Sequence, residues 1–180
     1  MKRYIEEFHE LVKEPIINCG ITIGLVNEND YSLWKITIIG PIDTPYKGGL
    51  FIIHAKFPDE YPLKAPEVYF FTPIYHLNVN PRVPRSSEDI PLGHISLSSL
   101  SWWKPEYKMS EILVNIFALF YKANPESPYG LNRAEEYREN INVYNEKIRY
   151  FVKKYAHPLK QITQYNDRTK DWNFEWKQNN

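Results

Sequence analysis

The sequence of 180 residues contains a single cysteine, Cys19, so no disulfide bond can form within the chain. It also lacks the C-x-x-C pairs and the cysteine–histidine spacing of zinc sites, and neither a metal nor a cofactor is expected. We interpret Cys19 as a buried small apolar residue near the first strand rather than a relocated nucleophile. A lone thiol is typical of a reducing compartment, which favours the cytoplasm or nucleus.

Long hydrophobic runs are absent as well. No segment approaches the roughly 20 apolar residues that span a bilayer, and the first residues lack the apolar stretch of a signal peptide. Basic and acidic residues balance at 22 each, so no excess charge attracts nucleic acid or an anionic membrane. We therefore expect neither as a partner, and other proteins would be selected by local surface.

Apolar residues make up 43% of the chain, enough for the core of one domain. The first residues predict a helix that ends before Pro15, because the apolar residues recur on one helical face: Tyr4, Phe8, Leu11 and Val12. Four charged residues fall on or near the opposite face: Lys2, Arg3, Glu6 and Glu7. We expect a solvated surface there, with a docking site as the alternative.

Four segments rich in β-branched and aromatic residues follow, at 20–26, 33–39, 50–57 and 68–71. Their short connections predict an antiparallel meander. In the third strand, apolar residues alternate with Ile52, His54 and Lys56, which predicts one apolar face and one partly wet face.

Helical spacing returns further along. Large apolar residues predict a buried second helix: Met109, Ile112, Leu113, Ile116, Phe117 and Phe120. Asn132 and Glu135 have the spacing of a capping box for a third helix, with an apolar stripe from Tyr137 to Tyr155. Residues 75–103 keep neither period and contain three prolines, which predicts a long functional loop. Strands followed by helices indicate an α+β fold.

A series of motifs occurs in a fixed order along the chain. They are Trp34, Gly40-Pro41, Thr44-Pro45-Tyr46-Lys47-Gly48-Gly49, Phe57-Pro58, Tyr61-Pro62, Pro66, Tyr75-His76-Leu77-Asn78, Gly93-His94-Ile95-Ser96-Leu97, Trp103-Lys104-Pro105, Asn124-Pro125-Glu126-Ser127-Pro128 and Leu131-Asn132. In this order they strongly resemble the ubiquitin-conjugating enzymes (UBC family), over roughly residues 1–156. The remaining residues 157–180 form an extension for which a short helix, a docking segment and disorder all stay open.

The resemblance implies a UBC-like fold, with a four-stranded antiparallel sheet, an N-terminal helix, a central helix and C-terminal helices. It also implies transfer of ubiquitin or a ubiquitin-like protein through a thioester, and here the chain departs from the family. The position of the catalytic cysteine holds Ser96. Serine is a poor acyl carrier for this reaction, because its hydroxyl ionises far less readily than a thiol and the oxyester that it would form resists attack by amines. Whether the chain is an enzyme is therefore left open.

Other positions of the implied site also differ. Asn78 matches the asparagine that stabilises the oxyanion, although a structural role in its loop is the alternative, and His76 is expected to be structural. Leu77 replaces the usual proline, and Lys122 stands where active relatives often carry an acid that orients the incoming lysine. A weak pairing of His94 with the serine, against a surface histidine, is also considered.

The loop at 79–92 is longer than in the family, and either covers the old active-site groove or is a mobile insertion. The combined departures favour natural loss of catalysis over an introduced serine. Binding can survive such a loss, because the family meets ubiquitin ligases through helix one and two loops. The matching residues here are Lys2, Arg3, Pro62, Leu63, Pro105 and Glu106. The activating enzyme would share the helix-one surface.

Three hypotheses follow. The first is an inactive UBC variant that binds ubiquitin, a ligase or an active conjugating enzyme. The second is an active conjugating enzyme whose cysteine has been replaced by Ser96. The third is an interaction domain that has left the ubiquitin pathway.

Overall fold

The structure is a computed structural model that describes residues 2–16, 20–81 and 93–156. Cys19, residues 82–92 of the long loop and the extension at 157–180 lie outside the described residues, and so do the interpretations given for them. The described elements are α1 (Arg3–Lys13), β1 (Ile21–Leu25), β2 (Leu33–Ile39), β3 (Leu50–Lys56), β4 (Glu67–Phe70), α2 (Ser98–Ser101), α3 (Met109–Tyr121), α4 (Leu131–Glu139) and α5 (Ile141–Tyr155). The predicted α+β fold is confirmed.

The four strands form one antiparallel sheet in the order β1-β2-β3-β4, in which Ile36 pairs with Ile53 and Ile53 with Phe70. Because side chains alternate across a strand, one face of β2 presents Trp34, Ile36 and Ile38, which are fully buried. α3 packs on this face. The ring of Phe120 lies 5.2 Å from that of Phe51 and 6.0 Å from that of Phe70.

The other face of β3 is partly buried. Lys56 is exposed, but Ile52 and His54 are buried. The ring of His54 lies 5.6 Å from Tyr69, its neighbour across the β3–β4 pair, and 4.8 Å from Phe71. The face is partly wet as predicted, with water reaching Lys56 but not Ile52 and His54, because large aromatic side chains from the edge strand and its end pack on this face.

The predicted third helix is in fact two helices. Asn140 ends α4, and its side-chain Oδ1 accepts the Val143 N–H at 3.3 Å, which starts α5. An asparagine side chain competes with helical backbone bonding in this way. The capping box was also wrong, because α4 already begins at Leu131, with Gly130 at a φ of 111° before it. Asn132 therefore lies inside the first turn. α5 is tied back to the sheet where the Ala156 carbonyl accepts the Leu50 N–H at 2.7 Å.

The predicted loop at 75–103 contains regular pieces. The short α2 lies within it, and isolated bridges join Val79 to Ile95 and Tyr69 to His94. Gly93 permits the second contact, because it has a φ of 81° and a Cβ there would lie 2.1 Å from the Phe70 carbonyl oxygen. Residues 93–96 are thus held beside the Asn78 turn. None of the helices in the described ranges is long and apolar enough to cross a membrane.

Candidate functional site

The turn at His76, Leu77 and Asn78 is anchored by a buried imidazole. His76 Nε2 lies 3.0 Å from the Leu119 carbonyl oxygen, and its Nδ1 accepts the Asn78 N–H at 3.0 Å. One nitrogen must donate and the other accept, so the ring is neutral with the proton on Nε2. Burial lowers the pKa of His76 to about 4. The neutral side chain therefore links the turn to α3 through two hydrogen bonds.

Leu77 is fixed through its backbone. Its N–H donates to the Tyr144 hydroxyl at 2.9 Å, and its carbonyl accepts the Tyr129 N–H at 2.6 Å. A proline has no N–H and could not make the first of these bonds. The leucine side chain is itself fully buried, and the two backbone bonds join this position to the segment before α4 and to the first turn of α5.

Asn78 is fully buried and its amide is committed to the turn at 124–127. Its Nδ2 donates to the carbonyl oxygens of Asn124 at 2.7 Å and Ser127 at 2.8 Å, and its Oδ1 accepts the Asn124 N–H at 2.8 Å. An amide nitrogen has two hydrogens to donate, and both are used here. In this arrangement the side chain holds a loop and has no hydrogen left for a developing oxyanion.

Ser96 lies directly beside this turn. Its N–H donates to the Asn78 carbonyl at 2.8 Å, and its partly exposed side chain shares a hydrogen bond with the Ser127 hydroxyl, with 2.7 Å between the two Oγ atoms. The His94 imidazole instead lies with its Nδ1 2.6 Å from the Tyr129 hydroxyl. The serine and the histidine thus have different partners.

Ser127 and Tyr129 were not among the site residues predicted from the sequence. Ser127 lies within the Asn124 to Pro128 motif and Tyr129 directly follows it. That motif was the available signal, because it is one of the ordered motifs that also include Ser96. Lys122 is exposed at the C-terminal end of α3. Among the residues described here, no group of three His, Cys, Asp or Glu side chains is arranged to hold a metal ion.

The sequence model for the ubiquitin-conjugating enzyme matches residues 3–152, which is most of the chain. The chain belongs to the ubiquitin-conjugating enzyme family. Members of this family generally bind ubiquitin and ubiquitin ligases. The sheet, the N-terminal helix and the C-terminal helices described above agree with a UBC-like fold.

Three segments expected to meet partners in a ubiquitin-conjugating enzyme are joined at one buried carboxylate. Glu7 accepts the Nε hydrogen of Arg3 at 2.7 Å, the Tyr61 hydroxyl at 2.9 Å and the N–H of Met109 at 2.7 Å. The residue is only 4% exposed, so the expectation that it lies on a solvated face was wrong. The reason is tertiary, because the cis Tyr61-Pro62 segment and the start of α3 close over helix one.

Arg3 also has a structural role, because it links helix one to the loop before α3. Its guanidinium donates to the carbonyl oxygens of Pro105 and Tyr107 as well as to Glu7. Lys2 remains exposed and pairs with Asp59 at 2.6 Å. Of the two, only Lys2 keeps a side chain largely available to a partner.

The outer surface of these segments carries large apolar side chains. Leu63 is 76% exposed and Trp102 is 79% exposed. Pro105 and Glu106 are exposed nearby in sequence, while the Trp103 indole N–H donates to the Pro62 carbonyl at 2.7 Å. The two loops are therefore linked, and each exposes a large apolar side chain. Trp102 was not among the residues chosen from the sequence.

The buried imidazoles predict a loss of stability in mild acid. The pKa of His76, and likewise that of His54, is lowered by burial to about 4, against 6.5 for the ordinary side chain. Below about pH 6.5 these imidazoles become protonated in the unfolded chain but stay neutral in the folded chain. The free energy of unfolding therefore falls until the pH reaches about 4. Going from pH 7.5 to 5 should cost about 2 kcal/mol for His76 alone.

Urea denaturation at the two pH values measures this loss. NMR titration of the His76 ring should show a neutral imidazole down to about pH 5. Protonation of the ring near pH 6.5 in the folded protein would contradict the prediction.

Proposed function

We propose that this protein is a catalytically inactive member of the ubiquitin-conjugating enzyme family, which binds ubiquitin, a ubiquitin ligase or an active conjugating enzyme. The observation that carries the proposal is Ser96, which stands where the resemblance places the nucleophilic cysteine. A hydroxyl at this position would have to be activated by a neighbouring base. The Ser96 hydroxyl is instead paired with another hydroxyl, that of Ser127.

The surrounding groups support the same proposal. Both amide hydrogens of Asn78 are already donated to backbone carbonyls, so stabilising an oxyanion would require the 124–127 turn to be released. Lys122 supplies a positive charge where an incoming lysine would need an acid or base, and like charges repel. Each departure removes a different part of the transfer reaction.

The surface that we propose for partner binding does not include Ser96, Asn78 or Lys122. Leu63 and Trp102 are exposed on linked loops, and Pro105 and Glu106 are exposed as well. Exposed aromatic and large apolar side chains on a rigid base are typical anchors of protein interfaces. A ligase or an active conjugating enzyme in the cytoplasm or nucleus is the partner class proposed for this surface.

Incubation with activating enzyme, ATP and ubiquitin tests the proposal. The protein should form no reductant-sensitive adduct on gels, because Ser96 offers no thiol. Its Ser96→Cys variant should accept ubiquitin but discharge it slowly to free lysine, because Asn78 and Lys122 remain as they are.

Binding of labelled ubiquitin and of ligase RING domains is measured in parallel, with Leu63→Ala and Trp102→Ala as variants. Repeated transfer by the unaltered chain would contradict inactivity. Fast lysine discharge by the Ser96→Cys variant would support the second candidate, an active enzyme with a replaced nucleophile.

A further inference from the structure

A shallow groove runs between the turn after α3 and one face of α4. Its walls are Pro125, Glu126 and Pro128 on the turn, and Leu131, Ala134, Glu135, Arg138 and Glu139 on the helix. The groove lies next to Ser127, whose hydroxyl contacts Ser96. It is separate from the loops that carry Leu63 and Trp102, and its residues on α4 have no role in the function proposed above.

The groove is held in shape from both sides. Asn78 binds the carbonyls of Asn124 and Ser127 from the interior. From the outside, Arg138 Nη2 donates to the Pro125 carbonyl at 3.0 Å and lies 3.4 Å from the Glu126 carboxylate. A ligand would therefore meet a preformed surface and lose little free energy in ordering it.

The base of the groove is apolar and one wall presents an unpartnered anchor. Ala134 is buried at the helix surface, and the two prolines are partly buried. Leu131 is 80% exposed although it stands at the start of a helix against this base. Covering such a leucine with an apolar side chain removes water from both and favours binding.

The charges of the groove select the occupant. Glu126 is neutralised by Arg138, and Glu136 on the adjacent face by Lys147. Glu135 and Glu139 are exposed on the groove side, and no ion pair within the described ranges involves either of them. The groove thus carries three carboxylates and one guanidinium, that of Arg138, which pairs with Glu126 and leaves a net negative charge beside the apolar base.

We propose that this groove binds an extended segment of another protein that carries an apolar side chain and two lysines or arginines. Leu131, Glu135 and Glu139 are spaced by four residues along α4, so neighbours are about 6 Å apart. An extended chain advances about 3.3 Å per residue, and its side chains alternate in direction. The basic residues should therefore stand about two and four positions from the apolar one. Ser96 does not line this groove, so binding there is independent of whether Ser96 is catalytic.

A fluorescein-labelled peptide with the core Leu-Ser-Lys-Ser-Lys is the probe, and fluorescence anisotropy measures its binding to the full chain. Saturable binding should be detected below about 1 mM, as expected for a short peptide, and should weaken as salt is added. A peptide with glutamate in place of both lysines should not bind. NMR shifts should map to Leu131, Glu135 and Glu139.

Variants separate the groove from general surface charge. Leu131→Ser should weaken binding about tenfold, whereas Ile42→Ser, at another exposed apolar residue, should not change it. The double variant Glu135→Lys with Glu139→Lys should prefer the glutamate peptide, while Glu146→Lys on α5 should keep the original preference. All of these positions are exposed, so folding is expected to be preserved.

The proposal is overturned if no saturable binding occurs, if the shifts map to another surface, or if the charge-reversed variant keeps the preference for lysine. These outcomes leave the adduct assay at Ser96 untouched, so the two proposals fail independently.

Discussion

Replacing Glu7 by alanine should lower the free energy of unfolding by about 3–5 kcal/mol, the cost typical of breaking a buried charge pair. The carboxylate accepts hydrogen bonds from Arg3, Tyr61 and the first backbone N–H of α3. Alanine would leave all three donors without this acceptor. Urea denaturation at neutral pH measures the change.

The neighbouring acid provides the control. Glu6 is exposed on the same helix, and Glu6→Ala should change stability by no more than about 0.5 kcal/mol. Glu7→Gln keeps the shape but removes the charge, so its cost should fall between the two. Equal effects of the two alanine substitutions would mean that Glu7 is not a buried junction.

The Glu7→Gln variant also tests the surface that is proposed to bind a partner. Arg3 links Glu7 to the backbone of Pro105 and Tyr107, and Tyr61 precedes the loop of Leu63. If these bonds keep helix one and the two loops in register, Glu7→Gln should also weaken any partner that contacts all three.

Asn78→Ala should cost about 3 kcal/mol of stability, because three hydrogen bonds disappear at a fully buried side chain. Each bond contributes about 1 kcal/mol, and the groups left at 124 and 127 lose their partners. Thermal and urea unfolding measure the effect. An asparagine that served only to stabilise an oxyanion would be removed at little cost to the fold.

Asn115→Ala is the matched control, since Asn115 is exposed on α3 and makes one long contact to Ser99. Its stability should change by less than about 0.5 kcal/mol. If Asn78→Ala unfolded at the same urea concentration as this control, the loop-holding interpretation would be wrong.

The strands and the buried helix could be predicted because their hydrophobic periods are strong and local. β2 and α3 alternate or repeat large apolar residues that have no other place than the core. The division of the last helix could not be predicted in the same way, because the apolar stripe continues across Asn140. Only the side-chain bond to Val143 shows that the backbone is interrupted there.

Three residues of the candidate site could be predicted from the sequence, but Ser127, Tyr129 and the hydrogen bonds of the site could not. Ordered motifs identified His76, Asn78 and Ser96. The contacts of their side chains depend on the position of the 124–127 turn in the fold. That turn is more than 40 residues from Asn78 in sequence. Glu7 was misplaced for a related reason, since helical periodicity describes a helix alone and not the loops that close over it.

Position 96 is secured by its main chain, through the bond from its N–H to the Asn78 carbonyl, while Gly93 is secured by having no side chain at all. The backbone path of this segment is therefore fixed without the Ser96 side chain, which makes one hydrogen bond, to Ser127. A change of side chain at position 96 is therefore expected to leave this backbone path intact.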